Sequence, residues 1–248
     1  MESYISSREI FPHVSVDCVI FGFDGHSLKV LLMDMLNKET KGSYNDFKFP
    51  GSILYMDEDL DAAAQRAINE IAGFKNIQLR QFKSFGSPNR VSRHINETHW
   101  LERITRHKIG RIVTVGYLAL IKMNQKISKI SKEYDVKWVD VKTNSIKLAF
   151  DHRQILDEAM KEIRQQITFN RSIIFDLLPK KFTVRQLRSA YEVIYDRPYD
   201  VRNFYKKYIE NEKYIIPLDE YEKNVTHRAA RFFRFDRKAF SKKHDSLS

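Results

Sequence analysis

Arg202, Asn203, Lys206 and Lys207 form two i, i+4 pairs, a spacing that stacks each pair on one side of an α-helix. An arginine can pair with a guanine edge, an asparagine with an adenine edge, and lysines can hold phosphates. Val201, Phe204, Tyr205 and Tyr208 fall at i, i+3, i+4 and i+7 and predict the apolar stripe that would pack such a helix. His227, Arg228, Arg231 and Arg234 add potential cations further along the chain. This is the chemistry of double-stranded DNA recognition, and nothing in the sequence resembles an aromatic platform for RNA.

Other reactive side chains are less telling. His94, His99 and His107 are separated by five and eight residues, which matches no common zinc pattern, so no metal site is expected. Cys18 has no cation beside it in sequence to activate a thiolate, and reads as core. Asp17 interrupts the apolar run 14–23, where a charge is costly unless paired. Simple alternation puts Val14, Val16, Cys18 and Ile20 on one face and Ser15 and Asp17 on the other, which would leave Asp17 in solvent. The competing reading places Asp17 in a ligand pocket.

The elements that must carry these groups change character along the chain. Residues 14–23 and 28–35 read as strands around Asp24-Gly25, 38–46 as a polar loop, and 58–71 as a helix stopped by Gly73. Residues 77–85, 111–121 and a short stretch around Trp138 read as further strands, and 157–167 as an amphipathic helix. From Thr183, with Gln186 three residues later, a capping box opens a helix to Tyr195. The turn DRPYD follows, then Asp200 caps a helix running to about Asn211, and 215–218 and 231–235 form a two-stranded hairpin. The expected architecture is a mixed-sheet α/β domain over 1–168 and an α+β winged helix-turn-helix over 169–248.

Composition agrees with that division. The formal net charge is +11, and residues 179–248 hold 17 Lys and Arg against 10 Asp and Glu, in under a third of the 248 residues. A basic module on a nearly balanced partner points to a polyanion. The longest uncharged apolar run, 112–121, is half of what a bilayer-spanning helix needs, so no membrane partner is expected. The start MESYISSREI has no basic stretch leading into an apolar one, and a single cysteine suits a reducing cytoplasm.

Residues 47–74, FKFPGSILYMDEDLDAAAQRAINEIAGF, resemble a Nudix box. Ser52 stands for the first glycine, Glu58 for the glutamate, Arg66 for the arginine, Ile68 for the aliphatic residue, Glu70 for the first of the glutamate pair and Gly73 for the last glycine. Nudix hydrolases hold divalent metal on three helix carboxylates, and here those positions read Ala67, Glu70 and Ile71. One carboxylate between Ala and Ile is a poor magnesium site, so no catalytic residue and no cofactor is assigned. A Nudix-like domain followed by a winged helix resembles the Nudix-related transcriptional regulators, most of all the arabinose-responsive regulators of Bacteroides-type bacteria. Leu148-Ala149-Phe150-Asp151-His152, Leu177-Leu178-Pro179, Phe182-Thr183 and Arg202-Asn203-Phe204 carry the likeness further. The resemblance implies a homodimer on operator DNA and a small effector in the Nudix-like domain, either L-arabinose or another sugar, or an ADP-ribose-like nucleotide. Control of sugar-utilisation genes follows from the first. The resemblance also implies that Lys48, beside the Pro50-Gly51 turn, approaches Asp17 across the sheet, which makes the two the expected effector contacts. The alternatives are a divergent magnesium-dependent hydrolase of nucleoside diphosphate derivatives and a basic module that binds without site preference.

Overall fold

The computed structural model describes residues 8–35, 47–91, 109–123, 127, 134–143, 146–223, 225–226 and 228–245. The loop expected at 38–46, His94, His99 and His107, and His227 lie outside them. The chain divides into two compact units. One is built from residues up to Phe21, from Val30–Ala119 and from a stretch ending at Lys161; the other gathers Gly22–Lys29, a short stretch beginning at Leu120 and the chain from Glu162 onward.

The first unit is a mixed α/β structure on a six-stranded sheet. Its strands are β1 (Ile10–Phe23), β2 (Leu28–Met35), β3 (Gly51–Tyr55), β4 (Arg80–Phe85), β5 (Val113–Lys122) and β6 (Tyr134–Asp140). The order is β4-β5-β1-β2-β6, and β3 pairs antiparallel with the first half of β1, setting Asp17 opposite Gly51. The turn between β1 and β2 is set by Asp24, whose carboxylate accepts from the backbone N–H groups of His26 and Ser27 at 2.8 Å each. These bonds and nearby Lys29 outweigh burial and pull the Asp24 pKa down to about 2.

Helix α1 (Leu60–Ala72) begins two residues later than its periodicity suggests, because Asp59 is the N-cap and accepts from Ala62 N–H at 2.7 Å. Gly73 ends it at φ 74°, in the left-handed region that a side chain would strain. The face it buries is Ala63, Ala64, Ala67, Ile68, Ile71 and Ala72. Helix α2 (His152–Phe169) is longer than the expected 157–167 and buries Ile155, Leu156, Ala159, Ile163 and Ile167.

Alternation fails on β1. Every residue from Val16 to Phe23 is buried, so both faces of this inner strand are covered, and Asp17 is 8% exposed rather than in solvent. A strand covered on both faces reads as a continuous apolar run, which 14–23 largely is.

The second unit follows the expected helix, turn, helix and wing. Asn170 caps a 3₁₀ turn (Arg171–Asp176), then β7 (Phe182–Thr183) leads into α3 (Val184–Tyr195). Both hydrogen bonds of the Thr183–Gln186 capping box are present. Asp200 caps α4 (Val201–Tyr205) by accepting from Asn203 N–H at 2.9 Å. Strands β8 (Ile215–Tyr221) and β9 (Arg231–Phe235) form the wing, followed by α5 (Arg237–Asp245).

Three expectations change here. The wing is three-stranded, because Phe182 and Thr183 pair with Phe233 and Phe232 of β9. Two residues are too short a run to show periodicity. The helix α5 was not expected, since its sequence RKAFSKKHD has a weak apolar stripe. The helix after Asp200 is α-helical for five residues and continues as a π turn over Lys206–Glu210. Phe204, Tyr208 and Ile209 are buried while Val201 and Tyr205 are exposed, so the packed face is not the stripe that a 3.6-residue period predicts.

Candidate functional site

The box helix keeps its arginine but uses it for internal bonding. Arg66 donates from Nε to Glu58 at 2.9 Å, from Nη1 to Ser52 Oγ at 3.0 Å and to Glu70 at 3.3 Å, and from Nη2 to the Ile53 carbonyl at 3.1 Å. Its guanidinium lies 4.1 Å from the centre of the Tyr55 ring. Burial opposes the charge on Glu58, yet Arg66 and the Tyr55 N–H outweigh it and hold its pKa below the ordinary value. Ala67 and Ile71, standing at the other two carboxylate positions, are 0% and 8% exposed and belong to the core. Among the described residues no group of three or more His, Cys, Asp or Glu side chains could hold a metal ion. What this face can do is brace the β3–α1 corner through one arginine.

A second cluster lies beneath β1. Asp17, Lys48, Arg90, Asp151 and His152 are each less than one-tenth exposed. Arg90 grips Asp151 with two bonds, Nε to Oδ2 at 3.0 Å and Nη2 to Oδ1 at 2.9 Å, and its Nη2 lies 3.5 Å from Asp17 Oδ2. Burial works against the Arg90 charge, and the two carboxylates outweigh it, raising its pKa. Gly51 gives Asp17 its room: a Cβ there would sit 2.6 Å from Asp17 Oδ1 and 2.5 Å from the Val16 carbonyl oxygen. Lys48 reaches over the Phe150 ring, 4.8 Å from its centre, and Phe150 itself has φ 53°. So the two sequence-predicted ligand contacts, Asp17 and Lys48, are both buried in this one unit. The other three members went unassigned. Asp151-His152 stood in plain view within the motif Leu148–His152, while Arg90 carries no local signal at all.

His152 is fixed by what surrounds it. Its Nδ1 accepts from the Phe49 N–H at 3.0 Å, its ring stacks on Phe49 at 5.0 Å, and Nε2 faces Asp17 Oδ1 at 3.7 Å. Burial lowers the pKa below the ordinary 6.5; Asp17 and Asp151 oppose the shift, and Arg90 and Lys48 add to it. The fold therefore favours the neutral ring. Its contribution is complete above pH 6.5 and is lost as pH falls through the depressed folded value, at up to about 1.4 kcal/mol per pH unit. Urea denaturation at pH 7 and pH 5.5 should show a larger acid loss for the wild type than for His152→Asn, whose amide oxygen can keep the Phe49 bond. Equal losses would remove His152 from the account.

The DNA-facing candidates gather in the second unit. Arg202, Asn203, Lys206 and Lys207 are exposed on and just after α4. The helix is seated by Phe204, 1% exposed, whose ring lies 4.6 Å from Tyr208, 5.5 Å from Tyr191 and 5.6 Å from Tyr199. Arg188 braces the turn before it by donating to the Tyr199 carbonyl at 3.0 Å, and Glu192 accepts from the Tyr199 N–H at 2.9 Å. On the wing, Arg228 is exposed, and Arg231 is exposed but spends its Nε on the Leu218 carbonyl at 2.6 Å, tying β9 to β8. Arg234, by contrast, pairs with Asp236 at 3.5 Å.

Comparison with known proteins agrees with this geometry. Residues 174–235 match the NrtR DNA-binding winged helix domain. A curated relative from Acinetobacter baylyi, named as an ADPR responsive transcriptional repressor, NtrR, is 28% identical over 238 residues, covering 95% of this chain and 86% of the relative. Shewanella oneidensis NrtR crystallised with a 27mer DNA superposes with a TM-score of 0.67 at 23% identity, covering 92% of this chain and 95% of that one. A MutT/nudix family protein from Enterococcus faecalis superposes at 0.62 with 20% identity, over 95% and 89% of the two chains. The C-terminal part is thus similar to the NrtR winged helix, and the chain shares with the Shewanella protein the fold of a Nudix-like domain followed by a winged helix.

Proposed function

We propose that the protein is a ligand-responsive transcriptional repressor, acting in the cytoplasm as a homodimer on double-stranded operator DNA. Residues 169–248 bind the DNA and residues 1–168 bind the effector. The observation that carries the reading is the exposed cationic face of α4 within a winged helix of NrtR type. Arg202 and Asn203 read base edges, Lys206 and Lys207 hold phosphates, and Arg228, Arg231 and His227 supply the wing. Asp17 and Lys48 make the effector contacts, held in place by the Arg90, Asp151 and His152 side chains packed around them. The ligand switches the protein only through unequal affinity for the DNA-competent and incompetent arrangements.

The relative's response to ADP-ribose supports an ADP-ribose-like nucleotide as the first effector to try. L-Arabinose, and with it control of pentose-utilisation genes, rests on the resemblance of sequence and is tested beside it. A regulator is favoured over a hydrolase by the repressor relative and by the apolar residues at positions 67 and 71.

The test is binding to the gene's own upstream DNA against excess random DNA, with ADP-ribose, with L-arabinose and with neither. Arg202→Ala should weaken specific binding by about 1–3 kcal/mol, roughly five- to 150-fold, while effector binding stays unchanged. Unchanged operator affinity in that variant would exclude α4 as the reading helix. Absence of any site preference would exclude the repressor.

A further inference from the structure

Helix α4 carries two large apolar side chains that its packing does not use. Phe204, Tyr208 and Ile209 are buried, whereas Val201 is 61% and Tyr205 43% exposed. Single apolar residues on a surface are ordinary, but these two stand one helical turn apart and adjoin the cations. At about 100° per residue, Val201, Tyr205, Arg202 and Lys206 fall within an arc of about 140°. The outer face is therefore mixed, apolar on one flank and cationic on the other, with no acidic residue between 201 and 207.

That mixture fits one partner surface. The major groove is lined by phosphates and base edges that cations and amides can bind, and its apolar group is the thymine 5-methyl. A second copy of this helix would present the same positive charge and be repelled. Val201 also opens the helix, and base contacts in this class of motif come from the N-terminal residues of the reading helix. We infer that Val201 and Tyr205 determine specificity by packing on thymine methyl groups next to the bases read by Arg202 and Asn203. The inference rests on the DNA-binding reading above.

The experiment starts from a binding sequence selected by the full-length protein from a random duplex pool. That duplex is remade with each thymine replaced in turn by deoxyuridine, which removes the methyl and nothing else. The wild type should lose about fourfold in affinity at one or two positions, the worth of one buried methyl. Val201→Ala or Tyr205→Ala should lose that sensitivity at its own position while keeping the wild-type salt dependence. Comparing thymine with deoxyuridine within each variant makes the result independent of small changes in fold, and circular dichroism checks that the helices remain. A selected sequence indifferent to deoxyuridine, or variants as sensitive as the wild type, would overturn this inference alone. A pool that yields no sequence would overturn it together with the repressor.

Discussion

Replacing Arg90 with methionine is expected to destabilise the sheet unit by about 3–5 kcal/mol, the range for a buried ion pair that loses one partner. The arginine is 5% exposed and stands between two carboxylates, bidentate to Asp151 and 3.5 Å from Asp17. Without it, two acids less than one-tenth exposed face each other's charge, with Lys48 and a neutral His152 as their remaining neighbours. Two buried charges without their cation must move apart or draw in water, and either response costs stability at neutral pH. Urea denaturation at pH 7 measures the loss. Adding Asp17→Asn and Asp151→Asn to Arg90→Met should recover a large part of it, because the stranded charges are then gone. A loss below about 1 kcal/mol for the single variant would mean that solvent already reaches the cluster.

That cluster also marks where the sequence stopped being readable. The caps at Asp59, Thr183 and Asp200, and the stop at Gly73, act over two to four residues, so their signatures lie whole in the local sequence. The same holds for the replacement of box carboxylates by Ala67 and Ile71. Asp17 is different: Arg90, 73 residues away, decides its environment, and the bond from Phe49 to His152 spans 103. Alternation along β1 could not reveal that both faces of the strand would be covered. The π turn after Tyr205 was hidden for another reason. A 3.6-residue period assigns Val201 and Tyr205 to the core, and only the packing of Phe204 against three tyrosines shows that the helix turns a different face inward.

The residue that holds that face in place is Phe204, and Phe204→Ala is expected to cost the winged-helix unit about 3–5 kcal/mol. The ring is 1% exposed and contacts Tyr191 of α3, Tyr199 of the turn and Tyr208 of the π turn, so truncation opens a cavity on three sides at once. Edge-to-face contacts with Tyr191 and Tyr199 and the stacked contact with Tyr208 are lost together with the buried area. Neighbouring rings can collapse into the space only by moving α4, whose N-terminus is held by a single side-chain cap at Asp200. Function should therefore fall with stability: specific DNA affinity should drop by more than Arg202→Ala alone produces, since all four reading and phosphate-holding side chains shift together. Phe204→Leu, which keeps most of the volume, should cost well under half as much and retain specific binding. Urea midpoints and DNA titrations on the two variants and the wild type make the comparison. If Phe204→Ala lowered stability but left specific affinity untouched, the DNA-reading surface would have to lie away from α4, and the wing would be the place to look.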